Sequence, residues 1–473
     1  MAGLTVVPNI VMGKATGNKE RNSPSDKLNI AAVGVGGVGR SSINDLAGEN
    51  NMVAFCDVDW AYAANAFNSY PGARRYKDYR RMYDEMGKSI DAVLIATPDH
   101  THAIIAADAM VLGKHVYVQK PLTHSVYESR LLTKLAEKYQ VATQMGNQGA
   151  SSIGVNRSLE LLWNGEIGEV TRVDACSDRP IWPQGLNRPA QEDVIPDTLD
   201  WDLFTGPAPL RPYNNIYHPW NWRGWWDYGT GALGDMACHI LNVVYVGLQL
   251  KYPTKVQGTS TVVMADSCPT AEKVIYTFHE RGKVGKMKLP EVTVTWYDGG
   301  FTPPRPAGAE GRDLTNCTIF YGTKDTMICN SHGGDPWLAS GRVPNVPKIR
   351  REITVSHEKD WVRACKESPE NRVKTASDFS LAGPLNEMVV MGVLAVRLQG
   401  LRKELLWDGE NMRFTNIGEN EELRFRLQNQ FSVENGHPTW NNKDTEPVNA
   451  KKFAEELINR PYREGWKLPD MPR

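Results

Sequence analysis

Cysteine is sparse and unpatterned. The 473-residue chain holds seven, Cys56, Cys176, Cys238, Cys268, Cys317, Cys329 and Cys365, an odd number at wide spacing. No C-x-x-C pair occurs, which excludes a zinc ribbon and a thioredoxin-like motif. The thiols are expected to be small buried groups. Charge of one sign is also missing. The chain has 54 Lys and Arg against 55 Asp and Glu, a net −1, so no basic field draws nucleic acid or anionic lipid. No uncharged apolar run reaches the roughly 18 residues of a membrane-crossing helix. A composition of 41% hydrophobic and 23% charged residues excludes a disordered or low-complexity chain. The length suits two or three domains and can bury a large core without disulfides.

Ala2 to Gly13 is a short apolar segment with small residues, and Lys14 to Lys27 is polar. Together they resemble the back half of a secretory leader of the twin-arginine type, although the twin arginine itself is not in the sequence. Residues 1–27 are therefore expected to be leader remnant or disordered. The protein is expected to be exported to the periplasm; without a leader it would be cytoplasmic.

The fold proper is expected from Leu28. The apolar run Leu28 to Val33 reads as a buried parallel strand. It is followed by Gly34-Val35-Gly36-Gly37-Val38-Gly39 and a helical stretch. This is G-x-G-x-x-G at a strand-to-helix junction. The first glycine permits the turn, the second lets the backbone approach a pyrophosphate, and the third lets helix pack on strand. A second strand, Met52 to Cys56, ends in Asp57, placed to accept hydrogen bonds from ribose hydroxyls and to repel a 2′-phosphate, which favours NAD over NADP. Further strands run from Asp91 to Ala96 and from His115 to Val118. The alternation of strand and helix predicts a doubly wound parallel sheet of the Rossmann type over 28–149.

Two motifs carry chemistry. Lys120, in Gln119-Lys120-Pro121, stands at the carboxyl end of a strand, where ligands of such sheets bind. A Lys there is commonly a solvated surface charge; facing a cofactor, it can hydrogen-bond a substrate hydroxyl and take part in proton transfer. The second motif runs from Gly229 to His239, with a helix expected from near Ala232. Asp235 and His239 are four residues apart and share one helix face. Such a pair is either a helix-surface hydrogen bond or an oriented proton acceptor. Two residues are too few for a metal site, and none is expected.

In combination, from Leu28 to about Leu401, these segments resemble the Gfo/Idh/MocA oxidoreductase family, named for glucose–fructose oxidoreductase and inositol dehydrogenase. Thr97-Pro98-Asp99-His100-Thr101-His102 is similar to the family's T-P-N-x-x-H, with Asp99 where Asn is usual. Gln119-Lys120-Pro121 is similar to its E-K-P, with Gln for Glu. Asp235 and His239 match its G-G-x-x-x-D-x-x-x-H helix, with Thr230 for the first Gly. The resemblance implies a catalytic group of Lys120, Asp235 and His239. The exchange of Glu for Gln removes a charge beside Lys120 and favours His239 as the base, oriented by Asp235. The resemblance also implies NAD held by the loop Gly34, Gly36, Gly37, Val38 and Gly39 and by Asp57. Further implied cofactor contacts are Thr97, Pro98, His102, Gln119, Lys120 and Asn147.

Beyond Gly149 the regular alternation stops. A Pro- and Trp-rich stretch from Arg179 to Tyr228 leads into the Asp235 helix, and loops this long are usually functional. Aromatic rings mixed with polar groups suit a sugar, whose apolar face they cover; the same rings could simply pack the loop down. Arg179, Tyr217, His218 and Arg223 are the substrate candidates. Runs at 256–264, 273–278 and 292–297 predict a C-terminal α+β domain, 150–473, with a large, mostly antiparallel open-faced sheet. In the family such a sheet makes homodimers or homotetramers. Helices are expected over 360–366 and 383–398. The tail from Trp407 is polar, and no role follows from it.

The expected activity is NAD-dependent oxidation of a ring hydroxyl of a sugar or glycoside, at C3 in one version, with the NAD tightly bound. Two alternatives stand beside it. One is an NAD-dependent glycosidase working by oxidation, elimination, hydration and reduction. The other is a non-catalytic sugar or NAD sensor. The expected partner is a small sugar, with neither nucleic acid nor a membrane span.

Overall fold

A computed structural model describes residues 27–472; the leader reading of the first residues lies outside that range. Six strands, β1 (Asn29–Val33), β2 (Asn51–Cys56), β3 (Arg74–Tyr76), β4 (Ala92–Ile95), β5 (His115–Val118) and β6 (Thr143–Met145), form one sheet in the order β3-β2-β1-β4-β5-β6. All its pairings are parallel. The central strands are apolar throughout because both faces are covered. In β1, Ile30 and Ala32 pack with Ile43 and Leu46 of helix Gly37–Leu46 and with Trp361. Ala31 and Val33 face the other way, towards Ile104, Ile105 and Leu132.

One cover helix, His357–Cys365, comes from far along the chain. Its Trp361 indole donates to the Ala142 carbonyl at 3.4 Å. The N-terminal sheet is thus completed by residues outside 28–149, which the local pattern had no means to announce.

The second sheet has nine strands, ordered 337–338, 326–330, 317–322, 170–176, 292–297, 272–278, 255–260, 405–408 and 413–414. Only the 170–176/292–297 pair is parallel. Strand Glu272–Phe278 alternates buried and half-buried residues, the pattern of a sheet covered on one face. The covering element is helix Phe379–Arg397, which packs on strands 255–260 and 272–278 and on helix Val126–Tyr139 of the first sheet. This helix is long and apolar enough to cross a membrane by length and composition, with 83% of its apolar 18-residue window buried inside the protein.

The tail is structured and folds back. It supplies strands at 405–408 and 413–414, a hairpin of Arg426–Glu434 with His437–Asp444, and helix Ala450–Ile458. Its last turns lie on the first sheet's helices, where the Tyr462 hydroxyl donates to Glu128 at 2.7 Å. Trp466 stacks under the Arg80 guanidinium at 4.3 Å.

Candidate active site

The turn after β1 requires glycine. Gly34 has φ +78°, and a Cβ on it would lie 2.5 Å from the Ala96 carbonyl oxygen. A Cβ on Gly39 would lie 1.9 Å from the Gly34 oxygen. Helix Gly37–Leu46 starts without a side-chain cap, so its N-terminus is available to an anion. The carboxylate of Asp57 accepts the N–H groups of Val35 at 2.9 Å, Gly36 at 3.3 Å and Asp59 at 3.0 Å. Burial pushes this carboxyl up, against the pull of those hydrogen bonds. Asp57 therefore shapes the glycine loop as well as facing the cleft.

The cleft above the loop holds about 320 Å³ and is lined by Gly34, Gly36, Gly37, Val38, Asp57, Thr97, Pro98, Gln119 and Lys120. These residues fit NAD: a glycine-walled turn, an open helix N-terminus and a carboxylate at the second strand's end. The Gln119 amide adds a buried N–H donor with no protein partner. The Tyr62 ring lies against the loop, 2.3 Å from where a Cβ on Gly36 would stand, so it shares the space through which a pyrophosphate would pass.

At the far end of the cleft the structure assembles a chain of alternating charges. Lys120 Nζ lies 2.6 Å from Asp235 Oδ1. Arg223 Nε lies 3.0 Å from the same oxygen. Arg223 Nη1 reaches both oxygens of Asp99, at 2.9 and 3.1 Å. Asp99 also accepts the Thr230 hydroxyl at 2.7 Å and the Thr230 N–H at 3.1 Å. Burial alone would raise the Asp235 carboxyl; Arg223 and Lys120 outweigh it and hold it down at about 2. Helix Gly231–Ile240 presents Asp235 and, one turn on, His239. Burial and the nearby Lys120 push the His239 imidazole well below its ordinary range, so the ring is neutral, the form that accepts a proton.

The structure corrects several expectations. Asp235 pairs with Lys120 and Arg223, and no hydrogen bond joins it to His239; the His239 Nδ1 is buried without a partner. His239 also lies just outside the residues lining the cleft. His102 is not a cleft residue. Its ring nitrogens lie 2.8 Å from the carbonyl oxygens of Thr97 and Pro121, and its single N–H donates to one of them, so it packs between the two strand ends. Asn147 is buried and donates to the Cys238 carbonyl at 3.1 Å, tethering the Asp235 helix. Gly39 packs helix on strand, as expected, without lining the cleft. Tyr217 is enclosed by Trp201, Trp225 and Tyr228 in an aromatic cluster that stiffens the loop. His218 lines the cleft on the side of β2, where it lies 2.9 Å from Asp59. Arg179 lines it beside Trp182.

The tryptophans of the 179–228 stretch divide between cleft and packing, and two further residues at the site had no signal in the sequence. Trp182, Trp220 and Trp222 line the cleft, whereas Trp201 and Trp225 belong to the aromatic cluster. Trp466 reaches the cleft from the C-terminal tail. His332 brings its ring to 5.0 Å from His239. The one sequence signal for any of these was the density of tryptophan before the Asp235 helix. Among the described residues, no cluster of His, Cys, Asp or Glu could hold a metal ion.

Comparison with known proteins agrees with this geometry. Residues 28–147 match the NAD-binding Rossmann fold of an oxidoreductase family, and residues 176–286 match that family's C-terminal alpha/beta domain. An inositol 2-dehydrogenase of Corynebacterium glutamicum is 29% identical over 161 residues, 33% of this chain and 47% of that enzyme. A glucose-6-phosphate 3-dehydrogenase of Bacillus subtilis is 25% identical over 146 residues, 30% of this chain and 40% of that enzyme. The chain thus spans less than half the length of these curated relatives. The WlbA dehydrogenase of Bordetella pertussis, solved with NADH and UDP-GlcNAcA, shares the fold with a TM-score of 0.55 at 15% identity, over 81% of this chain and 99% of that one.

Proposed function

The chain belongs to the Gfo/Idh/MocA oxidoreductase family, and on that premise we propose that it oxidises a ring hydroxyl of a sugar or glycoside, at C3, with NAD retained in the cleft. The observation that carries this reading is the Lys120–Asp235 pair, 2.6 Å apart at the end of a glycine-walled cleft, with a neutral imidazole one helical turn away.

Bound NAD supplies the hydride acceptor. Lys120 donates a hydrogen bond to the substrate oxygen and stabilises negative charge that develops there. Asp235 holds the Lys120 ammonium in place, and Arg223 fixes Asp235 from the other side. His239 takes the hydroxyl proton, its ring set by the helix and not by Asp235. Trp220, exposed in the cleft lining, and Trp222 offer flat faces to the apolar side of a pyranose, with Arg179 in the same lining for its hydroxyls. The choice of C3 draws on the relative named as a 3-dehydrogenase.

Export to the periplasm by the twin-arginine route is part of the proposal, supported by the apolar segment Ala2–Gly13. An exported enzyme has no free NAD to draw on, so its cofactor would stay bound between turnovers. Assembly into a homodimer or homotetramer through the large sheet belongs to the same reading. The test is His239→Ala. It is expected to keep bound NAD, counted by mass spectrometry after denaturation, and to lose the absorbance rise at 340 nm on adding sugar. Undiminished reduction in this variant would remove His239 from the mechanism.

A further inference from the structure

We propose that His332 is a second proton carrier of this site, an exposed imidazole that takes the substrate's proton from His239 and passes it to water. The inference rests on His239 as the base and extends that reading to a residue from another part of the chain.

The two rings lie 5.0 Å apart, centre to centre, tilted by 49°. His332 sits on the turn between strands Thr326–Asn330 and Trp337–Leu338, and the turn is built to hold it. Asn330 Oδ1 accepts the N–H groups of His332 at 2.9 Å and Gly334 at 3.0 Å. The Ser158 hydroxyl donates to the Gly333 carbonyl at 2.6 Å. Gly333 has φ +74°, and a Cβ there would lie 2.6 Å from Val243 Cβ. Gly149 backs the imidazole: a Cβ on it would come within 2.8 Å of His332 Cβ. A loop that existed only to link two strands needs none of these close approaches. The ring's Nδ1 is 2.9 Å from the Ser331 hydroxyl, which leaves Nε2 free to exchange a proton.

His239 needs such a partner. It is 9% exposed, and its Nδ1 is buried without a hydrogen bond. The titratable groups that face it are Lys120, His332, Asp235 and His357. Lys120 and Asp235 hold each other. His357 is engaged by the Met145 carbonyl at 2.8 Å and the Ser151 hydroxyl at 2.6 Å. Of the four, His332 alone is exposed. The one charged group that faces His332 is Lys120, which, after burial, keeps its imidazole low. A proton arriving there is therefore shed readily to water.

The step moves one proton and no electrons. The substrate O–H bond breaks and its proton binds His239. His239 then donates a ring proton to His332, which releases one to solvent. The hydride would leave the carbon separately, to the acceptor that bound NAD supplies.

The test uses the full-length chain loaded with NAD, methyl glucopyranoside as the probe, and stopped-flow absorbance at 340 nm. His332→Ala is expected to retain NAD, to slow reduction at least tenfold, to change the acid limb of the pH–rate profile, and to recover rate when imidazole is added to the buffer. A structural role would show neither imidazole rescue nor an altered pH profile. The wild-type rate measured in mixtures of H2O and D2O is expected to follow a curved, two-proton dependence. An unchanged rate and pH profile in His332→Ala, or a linear dependence on deuterium content, would overturn the relay while leaving His239 as base. Full activity in His239→Ala, or no signal from the wild type, would overturn the reading of the site itself and the relay with it.

Discussion

Arg223 Nη1 lies 2.9 and 3.1 Å from the two oxygens of the fully buried Asp99. This contact brings together two departures from the family pattern. Asp99 stands where the family pattern has Asn, and Arg223 meets its charge here. Thr230 replaces a glycine, and its hydroxyl donates to the same carboxylate. Breaking a buried ion pair by removing one partner costs about 3 kcal/mol or more. Arg223 keeps its pair with Asp235 and Asn keeps an oxygen acceptor, so Asp99→Asn is expected to cost less, about 2 kcal/mol in urea unfolding. It should also slow hydride transfer, since Arg223 would then bear more heavily on Asp235.

The pH dependence of turnover follows from His239. Burial and Lys120 depress its imidazole well below 6.5, so the neutral base persists as pH falls through the ordinary histidine range. The rate of sugar oxidation should stay flat from about pH 8 down to pH 6 and fall only below that. Lys120→Met removes the nearby cation and should move the acid limb of kcat upward, towards the ordinary histidine value.

Asp57 has two tasks, and a substitution should report both. Asp57→Ser removes the carboxylate that would meet the ribose hydroxyls and leaves the N–H groups of Val35 and Gly36 without their acceptor. The expected outcome is a loss of NAD affinity of about tenfold or more, roughly 1.4 kcal/mol, with a smaller loss for NADP. Titration calorimetry with both cofactors checks it. Equal losses for the two would show that Asp57 only shapes the loop.

A buried carboxyl pair sets an alkaline limit on stability. Burial pushes up both Glu272 and Asp298, the latter to about 7. Asp298 Oδ2 accepts the Trp296 indole N–H at 2.9 Å. A raised carboxyl contributes stability that is complete below the unfolded value of about 4 and is lost as pH rises through about 7. Asp298→Asn cannot ionise. The wild type should therefore lose more stability than the variant between pH 5.5 and pH 8.5, as measured by chemical denaturation.

The parallel sheet was legible because its signals are local. Apolar runs bounded by turns mark buried strands, and the spacing of Gly34, Gly36 and Gly39 is dictated by a single turn. Lys120 and Asp235 were legible as motifs. Their contact was not, because 115 residues separate them. Arg223 was read as a substrate contact, since nothing in the sequence pairs it with Asp99 and Asp235. His102 and Asn147 stand beside readable motifs yet turn their side chains to backbone carbonyls, a choice that only packing makes. His332, on a short turn between two strands, and Trp466, in the C-terminal tail, reach the site with no periodicity to betray them.

The central claim is that a hydride passes from C3 of a sugar to NAD held in the cleft. The most direct measurement is to incubate the purified protein with methyl glucopyranoside deuterated at C3, denature it, and weigh the released nicotinamide cofactor by mass spectrometry. The account predicts close to one NAD(H) per chain, with the reduced fraction one mass unit heavier than NADH. Reduced cofactor without the label would contradict oxidation at C3, and a chain that releases no NAD(H) and forms none with added NAD would contradict the account as a whole.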